Sequence, residues 1–112
     1  MPYVYLIQPC ELVGTMRYKI GMSRVSDLSR MKAYKNGTRY ICILECDDAL
    51  VLERKLIKEF NARYKLIGGN EYFEIDSSEL DMLRVFMDIV MRHKTGEKKT
   101  TELDWNRFAF RK

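Results

Sequence analysis

Between Asp48 and Lys65 the apolar residues fall on one side of a helix. At 100° per residue, Ala49, Leu52, Leu56, Ile57, Phe60 and Tyr64 form a single stripe. A helix with one apolar face must bury it against another element, which commits the chain to a layered fold. One acid interrupts the pattern. Glu53 falls inside the stripe, beside Ile57 and Phe60, while Arg54, Lys55, Lys58 and Glu59 lie outside or at its margin. A carboxylate on a buried face is costly unless it is paired or holds a metal ion. Glu53 is therefore either a rim residue bridged to an arginine or a functional ligand.

The remaining elements follow from periodicity and punctuation. Tyr3 to Ile7 reads as a strand that stops at Pro9, which cannot donate to a sheet. Glu11 to Gly14 is turn-like and Met16 to Gly21 a second strand, so the two form an antiparallel hairpin. On the first strand, Tyr3, Tyr5 and Ile7 share one face and Val4 and Leu6 the other. Ser26 or Asp27 can cap a helix to about Lys35, closed by Asn36-Gly37 with Gly37 free to take positive φ. Tyr40 to Cys46 alternates as a third strand. Asp47 or Asp48 caps the Glu53 helix, Gly68-Gly69 breaks the chain, and Glu71 to Ile75 is a short extended piece. Asp76, with Glu79 three residues on, gives a capping signal. Leu80, Leu83, Met87, Val90 and Met91 then stripe a last helix, expected to face the core.

This order predicts an α/β domain: a small antiparallel three-stranded sheet flanked by helices, with a C-terminal helix and tail. The expected division is a domain over residues 1–93 and a polar linker with an aromatic, basic tail over 94–112. With 112 residues and a hydrophobic fraction of 46%, the chain suits one compact domain and not a disordered one. No apolar run approaches the roughly 20 residues of a membrane span, and no secretory signal is visible. The expected location is intracellular, cytoplasmic or nuclear. The three cysteines, Cys10, Cys42 and Cys46, lack a metal-site spacing and read as reduced thiols. With His93 as the single histidine, no Cys/His zinc set is expected. His93 is read as a solvated or cationic side chain at a helix end.

A net charge of +4 is compatible with a polyanionic partner without requiring one. Arg17, Lys19, Arg24, Arg30, Lys32, Lys35 and Arg39 all lie from the second strand to the start of the third. They form either a phosphate-tracking cluster or an ordinary solvated face.

Several motifs in this order resemble the GIY-YIG nuclease superfamily. Val4-Tyr5 is similar to its first motif, with Tyr5 in the tyrosine position. Lys19-Ile20-Gly21 is similar to its second, Arg30 to its helix arginine, and Glu53 to its metal-binding glutamate. The segment from Leu52 to Lys58 is particularly similar to the nuclease domain of the bacterial excision-repair endonuclease. Tyr18-Lys19-Ile20-Gly21 is closer to the phage and large-virus branch, where a lysine commonly precedes Ile-Gly. The resemblance covers roughly residues 3 to 75. It implies a DNA endonuclease, with RNA left open as the substrate, encoded by a virus or mobile element or serving repair or recombination. It also implies a Mg²⁺ or Mn²⁺ cofactor at Glu53.

The residues fit that chemistry. Mg²⁺ keeps several waters and uses only one or two protein carboxylates, as Glu53 would provide. Arg30 offers a donor fork matched to phosphate oxygens. Tyr5 would position or deprotonate the water; a phenol, with an ordinary pKa near 10, acts as a base only beside cations, for which Lys19 and Arg30 are candidates. Gly21 would let backbone approach a phosphate, and Ser23, Arg24, Lys32, Lys35 and Arg39 are expected to contact substrate. The second tyrosine is the open position: Lys19 occupies it, and Tyr18 lies one residue early. Asn61 and Asn70 are the nearby choices for the asparagine that often follows the glutamate helix. Two other functions stay in view. One is a catalytically silent nucleic-acid-binding module on the same scaffold. The other is a protein-interaction module using Trp105, Phe108 and Phe110. A monomer and a homodimer are both compatible with the sequence.

Overall fold

The computed structural model describes residues 2–24, 34, 36–69 and 71–95. Strands β1 (Tyr3–Gln8), β2 (Arg17–Ser23) and β3 (Arg39–Glu45) precede helix α1 (Ala49–Arg63). Strands β4 (Lys65–Gly68) and β5 (Tyr72–Glu74) then lead to helix α2 (Glu79–Lys94). The expected helix from Ser26 to Lys35 and the aromatic tail lie outside the described residues.

The sheet has five strands in the order β3-β1-β2-β5-β4, every neighbouring pair antiparallel, so the three-stranded expectation is corrected. The two extra strands come from residues read as a helix end and a lone extended piece. The chain leaves the helical conformation at Tyr64, whose backbone is fully extended. Lys65 to Gly68 then fold back onto β5 through Gly69, at φ 53°. That left-handed value favours glycine.

The hairpin register fixes the two faces. Tyr5 pairs with Gly21, Leu6 with Ile20 and Ile7 with Lys19. Val4, Leu6, Tyr18 and Ile20 point to the face covered by the helices and join the main core. Tyr3, Tyr5 and Ile7 are buried on the opposite face as a second cluster, with Tyr34 packed against it. A strand buried on both faces explains why β1 is apolar from Tyr3 to Ile7 and lacks the alternation of a half-exposed strand.

Helix α1 inserts Ala49, Leu52, Leu56 and Phe60 into the main core. Phe60 is its centre, meeting Tyr64, Phe73 and Phe86 edge-on at centroid distances of 5.2, 5.6 and 6.4 Å. Such T-shaped pairs contribute about 0.5–1.5 kcal/mol each beyond burial. Helix α2 buries Met82, Phe86, Ile89 and Val90, whereas Leu80 is 57% exposed. The expected stripe was thus rotated about the helix; of its members only Val90 is fully buried, and Leu83 and Met87 pack at the core's edge. Ser78, not Asp76, caps α2, its hydroxyl accepting from the Asp81 amide at 3.1 Å. Arg92 ties α2 to α1 by donating to Glu59 at 2.7 Å.

Candidate active site

Tyr5 lies on the sheet face away from α1, with its ring across the backbone of Gly21. A Cβ at Gly21 would meet Cε1 of that ring at 2.6 Å, and Cζ and the hydroxyl closer still. Gly21 is thus required by a neighbouring side chain within the protein itself.

Lys19 projects from the same face of β2, two residues before Gly21. It is 9% exposed, and its ammonium is enclosed by two rings, 5.1 Å from the Tyr34 centroid and 5.4 Å from that of Tyr72. Lys19 Nζ donates to the Tyr34 hydroxyl at 2.8 Å, and that oxygen lies 3.0 Å from the Tyr5 hydroxyl. Tyr5, Tyr34 and Lys19 therefore form one polar chain on a mostly apolar face. A buried ammonium is tolerated because the π-faces and the phenol replace part of its hydration. Tyr3 completes the face: its hydroxyl is buried and has no partner among the described residues.

Tyr18 takes the opposite direction. As a direct neighbour of Lys19 on a regular strand it faces the helices, and its hydroxyl donates to Glu79 at 2.7 Å. Arg39 binds the same carboxylate through two bonds of 2.8 Å and also donates to Gln8 at 2.7 Å. Burial, then the Glu79 carboxylate, pushes the Tyr18 phenol up, while Arg39 holds the Glu79 carboxyl below its ordinary range. Tyr18 and Arg39, expected in the site, are joined in a structural clasp away from Tyr5.

Glu53 is half-buried, at the margin of α1 instead of within its buried stripe. The 100° step from Leu52 carries it off the sheet and into a cleft of about 640 Å³ shared with Arg54, Lys58, Asn61, Leu66 and Glu71. Asn61, two turns on and about 12 Å along the helix axis, lines the same cleft; Asn70 lies outside the described residues. Glu71 links this cleft to the tyrosine face. Its carbonyl accepts from the Ile20 amide at 3.0 Å, and the next residue, Tyr72, pairs with Lys19. Ser23 is buried opposite Tyr3, and Arg24 is exposed just beyond β2. Arg30, Lys32 and Lys35 lie outside the described residues.

Sequence reasoning missed Tyr34 and Glu71. Tyr34 stands one helical turn after Arg30, a spacing that would have grouped them on the expected helix. Glu71 carried no signal, because its place depends on the β4–β5 hairpin.

The fold and site define a small α/β domain with a polar tyrosine–lysine chain on one sheet face and a carboxylate-lined cleft along α1. The T5orf172 domain matches residues 2–88, and the chain belongs to that family. The domain is phage-derived and related to GIY-YIG/HNH-like nuclease folds. No curated protein and no solved structure matches the chain. Among the described residues, no helix is long and apolar enough to cross a membrane.

Proposed function

We propose that this chain is a divalent-metal-dependent endonuclease of GIY-YIG type that hydrolyses phosphodiester bonds in DNA. The observation that carries the reading is the contact of Tyr5 with Lys19 through Tyr34 on one sheet face; the Glu53 cleft reaches that part of the sheet only at Glu71, the chain neighbour of Tyr72. Family membership supports a nuclease-like or DNA-binding role at the coarser level.

The cleft fits a hard cation. Glu53, with Glu71 lining the same cleft, offers carboxylate oxygens, suited to Mg²⁺ or Mn²⁺. When bound, the ion supplies Lewis-acid polarisation of the phosphate and a water of lowered pKa. The other roles fall to the protein. Tyr5, itself fully buried, orients the attacking water through the hydroxyl of the half-buried Tyr34. Lys19 stabilises negative charge on this face, which accounts for a cation in the position of a second tyrosine. Arg54 and Lys58 meet the phosphates flanking the cleft, and Arg30 is the charge stabiliser that the resemblance implies.

The test is nicking of supercoiled plasmid in Mg²⁺, Mn²⁺ or EDTA by the wild-type chain and Glu53→Ala. Metal-dependent nicking that disappears in the folded variant supports the proposal. No cleavage by the folded wild type leaves a DNA-binding module. Cleavage that persists in Glu53→Ala removes Glu53 from the site.

A further inference from the structure

Cys46, Asp48 and His93 come from three places: the end of β3, the start of α1 and the last turn of α2. Their ligand atoms all lie within 4.8 Å of one another. The Cys46 thiol donates to Asp48 Oδ1 at 2.8 Å, and His93 Nε2 lies 2.8 Å from Asp48 Oδ2. Cys46 is buried, the His93 side chain is 7% exposed, and Asp48 opens onto solvent. These contacts correct one expectation, since Cys46 lies beyond β3 rather than on it with Cys42, and of the two readings of His93 they set aside the solvated one.

The arrangement is odd for a helix start. Asp48 occupies the N-cap position of α1, yet its side chain makes no capping bond. Its carboxylate is committed instead to the thiol and the imidazole, which hold its pKa down at about 2. A sulfur, a nitrogen and an oxygen thus converge where two protons now sit between them. Around a tetrahedral zinc ion such atoms stand roughly 3.5 Å apart, given bond lengths of about 2.0–2.3 Å. Replacing the shared protons by an ion needs shifts of less than about an ångström at these contacts.

We propose that Cys46, Asp48 and His93 form a binding site for Zn²⁺, closed on three sides and open to water on the fourth. The open side is a cleft of about 590 Å³ also lined by Glu45, Asp47 and Lys94. Thiolate and carboxylate together neutralise the dication, and Glu45 and Asp47 add acidic surroundings. Loading expels the Cys46 thiol proton to solvent. The His93 Nε2 proton is exchanged for one on Nδ1, so one proton is released per ion. Lys55, whose Nζ lies 3.1 Å from Nδ1, opposes this state and must turn away. The ion clasps the β3–α1 corner to the end of α2. The site shares no residue with the Glu53 cleft and does not depend on the proposed nuclease reading.

The test uses the reduced, metal-stripped chain titrated with Co²⁺, read by the thiolate-to-cobalt absorption and then displaced with Zn²⁺. The expected result is saturation at one equivalent, with the band absent in Cys46→Ser and retained in Cys10→Ser and Cys42→Ser. Asp48→Asn, at a solvent-open position, and His93→Gln weaken binding by on the order of ten-fold or more, and Lys55→Met strengthens it. Circular dichroism verifies that each variant is folded. No thiolate band in folded wild type overturns the proposal. So does a band that survives Cys46→Ser, or unchanged affinity in Asp48→Asn.

Discussion

The ring of Tyr5 lies over its strand partner Gly21 at a separation that leaves no room for a methyl group. The relationship makes Gly21 the floor on which the proposed catalytic tyrosine rests. Gly21→Ala should displace the ring and break its contact with Tyr34. Overpacking of this kind costs about 1–3 kcal/mol. Denaturant unfolding should show that loss, and plasmid nicking should fall to the level of Tyr5→Phe. Wild-type nicking by Gly21→Ala would mean that Tyr5 need not occupy this position.

Tyr34 joins Lys19 to Tyr5, so its hydroxyl should matter more than its ring. Tyr34→Phe keeps the aromatic enclosure of the lysine and removes one hydrogen bond from each neighbour. An orienting hydrogen bond of about 1–1.5 kcal/mol corresponds to roughly ten-fold in rate. The loss should appear in kcat with KM little changed, because the phenol orients a water and does not hold DNA. Single-turnover cleavage under saturating DNA measures it directly.

Tyr18, Glu79 and Arg39 should behave as a stability device with limits at both ends of the pH scale. Glu79 has a lowered pKa, caused first by Arg39, so its contribution is present above the ordinary value near 4.5. It is lost as pH falls through the folded value. Tyr18 has a raised pKa, caused first by burial, so its contribution is present below pH 10.0 and lost as pH rises through the folded value. Tyr18→Phe should remove the alkaline limb, cost about 1 kcal/mol at neutral pH and leave nicking unchanged. Thermal unfolding across pH tests the limbs. A large loss of nicking in folded Tyr18→Phe would return Tyr18 to the site.

The hairpin, α1 and the third strand were legible because local signals decide them. Pro9 stops β1, alternation marks β3, and the Ala49–Phe60 spacing marks α1. The faces of β1 were also legible, since side chains alternate. What could not be read was register. Whether Tyr18 or Lys19 joins Tyr5 depends on Ile7 pairing with Lys19, a fact of the folded hairpin. The β4–β5 hairpin was hidden for a related reason. Lys65-Leu66-Ile67 continues a helical pattern as well as it begins a strand, and tertiary pairing decides. Cys46, Asp48 and His93 carry no sequence spacing at all; only the packing of α2 on α1 brings the histidine to the other two.

The rotation of α2 gives a direct contrast. Its sequence stripe places Leu80 toward the core, whereas the fold buries Phe86 and leaves Leu80 exposed. Phe86 touches Phe60 edge-on, and removing its ring leaves a cavity between the two helices. Phe86→Ala should therefore cost about 3–5 kcal/mol, and Leu80→Ala should stay within about 0.5 kcal/mol of wild type. Urea unfolding of the two variants separates the alternatives, because a core-facing Leu80 would cost about 2–5 kcal/mol when truncated. A large loss in Leu80→Ala with a small one in Phe86→Ala would mean that α2 presents its other side to the sheet. The clasp of His93 with Asp48 would then fail too, since both depend on the same rotation about the helix axis.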